Sequence, residues 1–348
     1  MNRKRITLLL AAISAFFMTC KPDFSVNDVK QDISIAYCLL NVNETNHYVK
    51  IYKAFLTDGN AYTYASNSGL EAISYMDSIK VTMEEYINGT LKRTIPFDTT
   101  TAIPKDSGTF PYPTQILYVA KNVKLDPAAT YRLILKNKYT SKECYAETKV
   151  VNNFRITQPQ GELNLTYNKE SVKCALQCPE NGASYEVYQI FRYIEVDKNT
   201  GKRTQHSVKR KISSSEILSL GSPIVINYNI NNIYKVIGSQ VKENDNVIRY
   251  IDSYKCIDYE AWVAGNVFLL YLKANNQSST ILNDKIAYTN FVSKDNSAFG
   301  IFSSRNSVKN TYLITSVSED SLVAGQYTKH LGFIKFENNN IIISKSYY

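Results

Sequence analysis

The segment Leu125-Asp126-Pro127-Ala128-Ala129-Thr130-Tyr131 decides the fold, because it places a turn directly before a strand. Aspartate and proline are typical turn residues. The residues that follow, 129–137, alternate apolar and polar types, and a second run of this kind covers 143–151. The two runs predict an antiparallel hairpin that the chain enters through this turn.

The same pattern of short strands and turns recurs earlier in the chain. Runs at 78–87 and 90–97 flank Asn88-Gly89. Asn-Gly is a strong hairpin signal because both residues tolerate a positive φ. The remaining strand candidates of this half are 32–42, 47–56 and 114–120. This half of the chain is therefore predicted to be mainly β and antiparallel.

The turn before Tyr131 resembles the segment that enters the late strand of immunoglobulin and fibronectin type III sandwiches. In those folds a tyrosine at this corner hydrogen-bonds back to the preceding loop. The resemblance implies an Ig-like antiparallel β-sandwich over residues 31–152, with Tyr131 as the corner residue.

The length of 348 residues predicts a second domain, which we assign to 153–348. Its first residues, up to Gly161, are predicted to form a linker. Strand candidates follow, and from Asn232 apolar residues recur at intervals of three and four, which indicates an amphipathic helix. We therefore expect a β-rich mixed domain with one or two helices.

The first twenty residues predict export and lipid attachment. Three basic residues precede a charge-free run that ends at Cys20, in the order of a secretory signal. The residues before Cys20 resemble a loose lipobox of the kind found in Bacteroidota lipoproteins. We expect 1–19 to be a lipoprotein signal peptide, Cys20 to carry the lipid and 20–30 to be a tether. A conventional signal peptide and an uncleaved anchor remain the alternatives.

Composition excludes several function classes. The chain contains no HExxH, GxSxG, P-loop or GxGxxG motif, so it lacks the signatures of the commonest metalloproteases, hydrolases and nucleotide-binding proteins. No catalytic residue, metal ligand or cofactor is assigned. Nucleic acid is not an expected partner, since no nucleic-acid-binding motif is present.

The net charge of +9 is concentrated in one stretch near residue 200. Basic side chains there could contact anionic lipid headgroups or lipopolysaccharide, and the alternative is a solvated hairpin. The residues concerned are Lys202, Arg203, Lys209, Arg210 and Lys211.

Tyrosine is the compositional outlier, with 27 positions. It suits recognition of glycans, peptides and proteins. We single out two loops, with Tyr62 and Tyr64 in one and Phe110 and Tyr112 in the other. The alternative for most tyrosines is a half-buried position on a strand.

The cysteines leave two interpretations open. Apart from Cys20 there are five, so at least one stays unpaired within the chain. Cys38 and Cys144 lie in the first and last strands predicted for the sandwich. They either form a disulfide or serve as small buried apolar residues.

The stretches 35–41, 48–56, 288–291 and 299–305 resemble Bacteroidota outer-membrane lipoproteins of the domain-of-unknown-function 4249 type. The resemblance implies a lipid-anchored outer-membrane location, with the membrane face left open, and a TonB-dependent transporter as a partner. We expect a non-enzymatic binding or accessory module for a glycan, peptide or envelope protein. The alternatives are a self-assembling or adhesive surface subunit and a glycan-active enzyme.

Overall fold

A computed structural model gives the fold of residues 33–54, 63, 67, 69–108, 112–166, 172–251, 255–276 and 288–335. These residues form a mainly β protein, as the sequence predicts. Cys20 and the segments expected to be signal peptide and tether lie outside the described residues. None of the described helices has both the length and the apolar character needed to span a bilayer.

The first half contributes eight strands. They are β1 (Ser34–Leu40), β2 (His47–Lys53), β3 (Ile79–Ile87), β4 (Thr90–Pro96), β5 (Asp98–Thr100), β6 (Leu117–Ala120), β7 (Thr130–Asn137) and β8 (Glu143–Lys149). A short helix, α1 (Leu70–Ile73), precedes β3. The hairpin of β3 and β4 turns at Asn88 and Gly89, both with positive φ, as Asn-Gly predicts.

The second half contributes ten further strands. They are β9 (Ile156–Gln158), β10 (Val172–Leu176), β11 (Ser184–Asp197), β12 (Arg203–Glu216), β13 (Ile224–Tyr228), β14 (Val247–Ile251), β15 (Ile257–Ala264), β16 (Val292–Ser293), β17 (Ala298–Tyr312) and β18 (Phe333–Lys335). Its helices are α2 (Asn232–Gln240), α3 (Asn266–Asn276) and α4 (Ser316–Ala324), with a 3₁₀ turn at Lys329–Leu331.

The first hydrophobic core lies between two sheets, as in a sandwich. One is the five-stranded sheet β16-β8-β7-β3-β4, and the other side is formed by β1, β2 and β6. Leu40 and Ile51 pack here with Met83 and Leu133 from the five-stranded sheet. All four side chains are buried. Each such burial contributes about 1.5–3 kcal/mol.

The second core begins at Val151, next to the predicted boundary at 152. It packs the inner face of β11 and β15 against the three-stranded sheet β13-β10-β9 and helix α2. Ile233 and Ile237 of α2 are fully buried, which confirms the helix predicted from their spacing. Helices α3 and α4, which the described part of the second half also contains, were not located from the sequence.

The two halves share one sheet. Strand β17 pairs in parallel with β1, from Ser34 opposite Ala298 to Leu40 opposite Ser304. The resulting ten-stranded sheet runs β18-β14-β11-β15-β17-β1-β2-β6-β5, with β12 on the other side of β11. Phe302 of β17 is fully buried in the first core. The division at 152 therefore matches the start of the second core, but it separates neither the sheet nor the first core, to which the chain returns after residue 290.

One local expectation is corrected, and one of two open alternatives is selected. The segment expected to be a linker contains β9, which pairs with β10. Cys38 and Cys144, considered as a disulfide, are free buried thiols. They serve as small core residues on opposite sheets, and burial raises the pKa of the Cys144 thiol to about 12.

Candidate functional site

The outer face of the second half of the ten-stranded sheet carries a concave surface. The register places Glu186 of β11 opposite Trp262 of β15, and Tyr188 opposite Glu260. Paired residues of neighbouring strands share a face of the sheet. These four side chains therefore lie side by side, all partly exposed.

The alternation of side chains along the strands explains why this face is open. Val187 and Ala261, the neighbours of the residues just named, point to the other side and are fully buried in the second core. Side chains on successive strand positions face opposite sides. One face therefore builds the core, and the other is left for solvent or a ligand.

Helix α3 forms a wall on this face. It starts directly after β15, and the backbone N–H of Phe268 donates to Ser303 Oγ of β17 at 3.1 Å. The Tyr271 ring meets the Tyr37 ring of β1 edge-on, with centroids 6.0 Å apart. These contacts hold the helix across the outer side of β17 and β1.

The space between α3 and the strands is an open groove of about 1160 Å³. We call it the outer groove. Its lining includes Tyr188, Glu216, Trp262, Phe268, Leu272 and Arg305. Ligand pockets in proteins commonly combine aromatic and apolar walls with a few polar groups, and the outer groove has this composition.

Three lysines on this face are each paired with a glutamate. Lys209 Nζ lies 2.5 Å from Glu260 Oε2, and Lys211 Nζ lies 2.5 Å from Glu186 Oε1. At the end of β12, Lys273 of α3 lies 2.7 Å from Glu216. The last pair ties the helix wall to the edge strand.

Two cation–aromatic contacts also belong to this face. The Arg305 guanidinium lies 5.1 Å from the centroid of the Trp262 ring, and Lys209 Nζ lies 4.1 Å from the Tyr188 ring centroid. Such contacts contribute about 0.5–1 kcal/mol at exposed sites. They place a basic side chain against each of these two aromatic rings of the groove.

The Glu186 carboxylate of the outer groove is held in its ionised form. Burial raises the pKa of Glu186, but hydrogen bonds from Lys211 and Tyr188 outweigh it, so the pKa is lowered overall. A glycosidase general acid needs a raised pKa and a second carboxylate in a defined position.

Among the described residues, no group of three or more His, Cys, Asp or Glu is arranged to hold a metal ion.

The loop residues expected from the sequence are mostly not placed. Tyr62, Tyr64 and Phe110 lie outside the described residues. Tyr112 is described and is 57% exposed. It precedes β6 in the first half of the chain and does not line the outer groove.

The five basic residues near position 200 do not form one surface. Lys209 and Lys211 lie on the outer face, whereas Arg210, between them, points inward. Arg210 Nε donates to Gln189 Oε1 at 2.7 Å, and Gln189 is fully buried. Lys202 and Arg203 are exposed at the opposite end of β12. The five residues therefore do not face one anionic surface together, because side chains alternate between the two faces of β12.

Sequence reasoning missed Trp262 and Arg305, the central pair of the outer groove. They are 43 positions apart in the printed sequence and belong to different strands. The signal that could have indicated the site is the tryptophan itself, since the chain has only one. The sequence around Arg305 carries no such signal, because no local pattern shows that β17 lies beside β15.

The chain is not assigned by its similarity to known proteins. No family model matches it, and no curated protein shows a significant match.

Proposed function

We propose that this chain is a lipid-anchored binding protein of the bacterial cell envelope, and that the outer groove holds its partner. It acts as a non-enzymatic accessory module at the outer membrane, beside a TonB-dependent transporter. The observation that carries the proposal is the groove. It combines an open aromatic floor with paired charges.

The composition of the groove supports a binding role. Tryptophan, tyrosine and arginine are enriched among the residues that dominate protein interfaces, and Trp262, Tyr188 and Arg305 stand together here. Leu218, at the mouth of the groove, is 89% exposed. Exposed apolar groups beside a concave surface commonly mark an interaction site.

The N-terminal sequence supports the location. A lipidated Cys20 would anchor the chain, because each buried methylene contributes about 0.8 kcal/mol and two or three acyl chains hold stably. We expect Cys20→Ala to move the protein from the membrane fraction to the soluble fraction after lysis. A variant that stays in the membrane would contradict lipid anchoring but not groove binding.

Site-directed photocrosslinking in the native envelope tests the binding role. A photoreactive residue replaces Leu218 at the groove, and in a matched control it replaces Tyr139, which is 79% exposed on the five-stranded side. We expect an adduct with an outer-membrane transporter from position 218 and none from position 139. Loss of the adduct in a Trp262→Ala background would locate the contact in the groove.

No adduct at position 218, or the same adduct at both positions, would contradict the proposal. Adducts formed only between copies of this chain would favour a second candidate, a self-assembling surface subunit. One observation favours that candidate: among the described strands, β12 pairs only with β11, so one edge of this fourteen-residue strand has no strand beside it. Such edges can add a strand from another chain.

A further inference from the structure

The basic side chains on the outer face differ in whether a carboxylate is paired with them. Lys209, Lys211 and Lys273 each lie within 2.7 Å of a glutamate oxygen. Within the described part of the chain, no acidic side chain forms an ion pair with Arg305. Its guanidinium rests on the Trp262 ring, and the side chain is exposed. The groove therefore presents one exposed guanidinium that, among the described residues, has no carboxylate paired with it.

The rest of the groove is largely apolar around this guanidinium. Phe268, Leu269 and Leu272 come from α3, and Leu218 comes from the loop after β12. Leu272 is 37% exposed, and nearby Leu220 is 73% exposed. A ligand that fits must combine apolar groups for this wall with an anion for Arg305.

We propose that the outer groove binds an extended peptide segment that carries apolar side chains and one carboxylate, with the carboxylate on Arg305. This assignment rests on the proposed binding function and names its ligand class. A guanidinium binds a carboxylate through two parallel hydrogen bonds, and stacking on an aromatic ring leaves that fork free. Arg305, which is exposed beside the Trp262 ring, can therefore receive the anion.

The shape of the groove favours a peptide over other carboxylates. A fatty acid is held best in an enclosed cavity, whereas this groove is open along its length. A uronic-acid glycan would use the Trp262 ring but would leave Leu218, Leu269 and Leu272 without apolar contacts. A peptide uses both parts, because alternate side chains can fill the wall while the backbone stays partly in solvent.

The single tryptophan provides a direct measurement, since emission from Trp262 reports on the groove alone. The purified full protein in phosphatidylcholine vesicles is titrated with an acetylated, C-terminally amidated hexapeptide that has leucine at two alternate positions and glutamate, its single carboxylate, at the last position. Three further probes are the glutamine-amide analogue, the analogue with serine for leucine, and an oligogalacturonate. We expect the first peptide to shift the emission saturably and the other three to bind at least tenfold more weakly, a difference of about 1.4 kcal/mol.

Arg305→Gln removes the charge, and Arg305→Lys keeps it but loses the planar fork. We expect Arg305→Gln to weaken the glutamate peptide about tenfold or more, to the level of the glutamine-amide analogue, with Arg305→Lys in between. The matched control is Arg203→Gln, which removes an exposed arginine at the far end of β12. It should bind the peptide as the unaltered protein does.

Equal affinity for the glutamate and glutamine-amide peptides would overturn the proposal, as would an unchanged affinity in Arg305→Gln. Tighter binding of the oligogalacturonate would assign the groove to acidic glycans instead. The result of the photocrosslinking test does not depend on any of these outcomes. A transporter adduct at position 218 without peptide binding would keep the accessory function and reject only this ligand class.

Discussion

The Tyr131 hydroxyl accepts a hydrogen bond from the backbone N–H of Asp126 at 2.6 Å. The same hydroxyl donates to Glu85 Oε2 at 2.7 Å, and Tyr131 is fully buried. Glu85 in turn receives Arg93 Nη2 at 2.7 Å. One phenol thus joins the turn before β7 to strand β3 and, through the carboxylate, to β4. Burial, together with the hydrogen bond to Glu85, raises the pKa of this tyrosine.

This relationship predicts that Tyr131→Phe destabilises the first half of the chain by about 1–3 kcal/mol, the cost of leaving buried polar groups without a partner. The ring still fills its site, so the loss comes from the Asp126 N–H and the Glu85 carboxylate. Urea unfolding followed by circular dichroism measures it. Tyr139→Phe, which alters an exposed ring, should change the free energy of unfolding by less than about 0.5 kcal/mol. Equal midpoints for the two variants would contradict the role of the corner.

The corner was predictable because its determinants are local. The turn residues 125–128, the strand after them and the tyrosine that reaches back all lie within one short segment. The hairpin at Asn88-Gly89 and helix α2 were predictable for the same reason, since backbone preference and side-chain spacing can be read within a dozen residues.

Helix α3 and the partnership of β1 with β17 could not be predicted in this way. The apolar residues of α3 include Leu269, Leu270 and Leu272, which do not fall on one stripe. Strand β17 meets β1 across more than 250 residues of chain, and no local pattern encodes such a pairing. The outer groove depends on both elements, so sequence reasoning could not locate it.

Gly300 allows the close approach of β17 to β1. Its φ is +102°, and an added Cβ would lie 1.9 Å from the Ala36 carbonyl oxygen. We expect Gly300→Ala to cost about 3 kcal/mol, from the strained φ and the displaced backbone together. Gly108→Ala is the control, because a Cβ there meets nothing within 4 Å and its φ is not positive. Thermal unfolding of both variants checks this. An unchanged transition in Gly300→Ala would show that the joint between the halves is loose.

We expect a substitution at Arg210 to lower stability more than a substitution at the exposed basic residues near it in sequence. Its Nη2 donates to the carbonyl oxygens of Asn229 and Ile230, each at 3.2 Å, in addition to the bond from Nε to Gln189. Arg210→Ala removes a charged donor from these three acceptors in a largely buried site, and we expect a loss of about 2–4 kcal/mol. Arg203→Ala should stay within about 0.5 kcal/mol. Urea unfolding distinguishes the two, and similar losses would mean that the inward contacts of Arg210 do not stabilise the fold.

The buried tyrosines predict a loss of stability at alkaline pH. Burial raises the pKa of Tyr37 and of Tyr118 to about 12 and raises that of Tyr259 well above its ordinary value. In the unfolded chain these groups titrate near pH 10. Between about pH 10 and 12 the unfolded state therefore binds fewer protons than the folded state, so the free energy of unfolding falls as pH rises. The stabilisation is complete below about pH 10.

Each such tyrosine contributes a slope of about 1.4 kcal/mol per pH unit within that window. Tyr118→Phe should therefore flatten the decline measured by urea unfolding between about pH 10 and 11.5, by about one proton. Tyr118 Oη donates to the Tyr75 carbonyl oxygen at 3.2 Å, so the variant also loses some stability at neutral pH. This loss of stability at neutral pH does not change how steeply the free energy of unfolding falls as pH rises. Tyr139→Phe, which alters an exposed ring, is the control and should keep the full decline. A slope that Tyr118→Phe leaves unchanged would show that this phenol ionises in the folded protein as readily as in the unfolded chain.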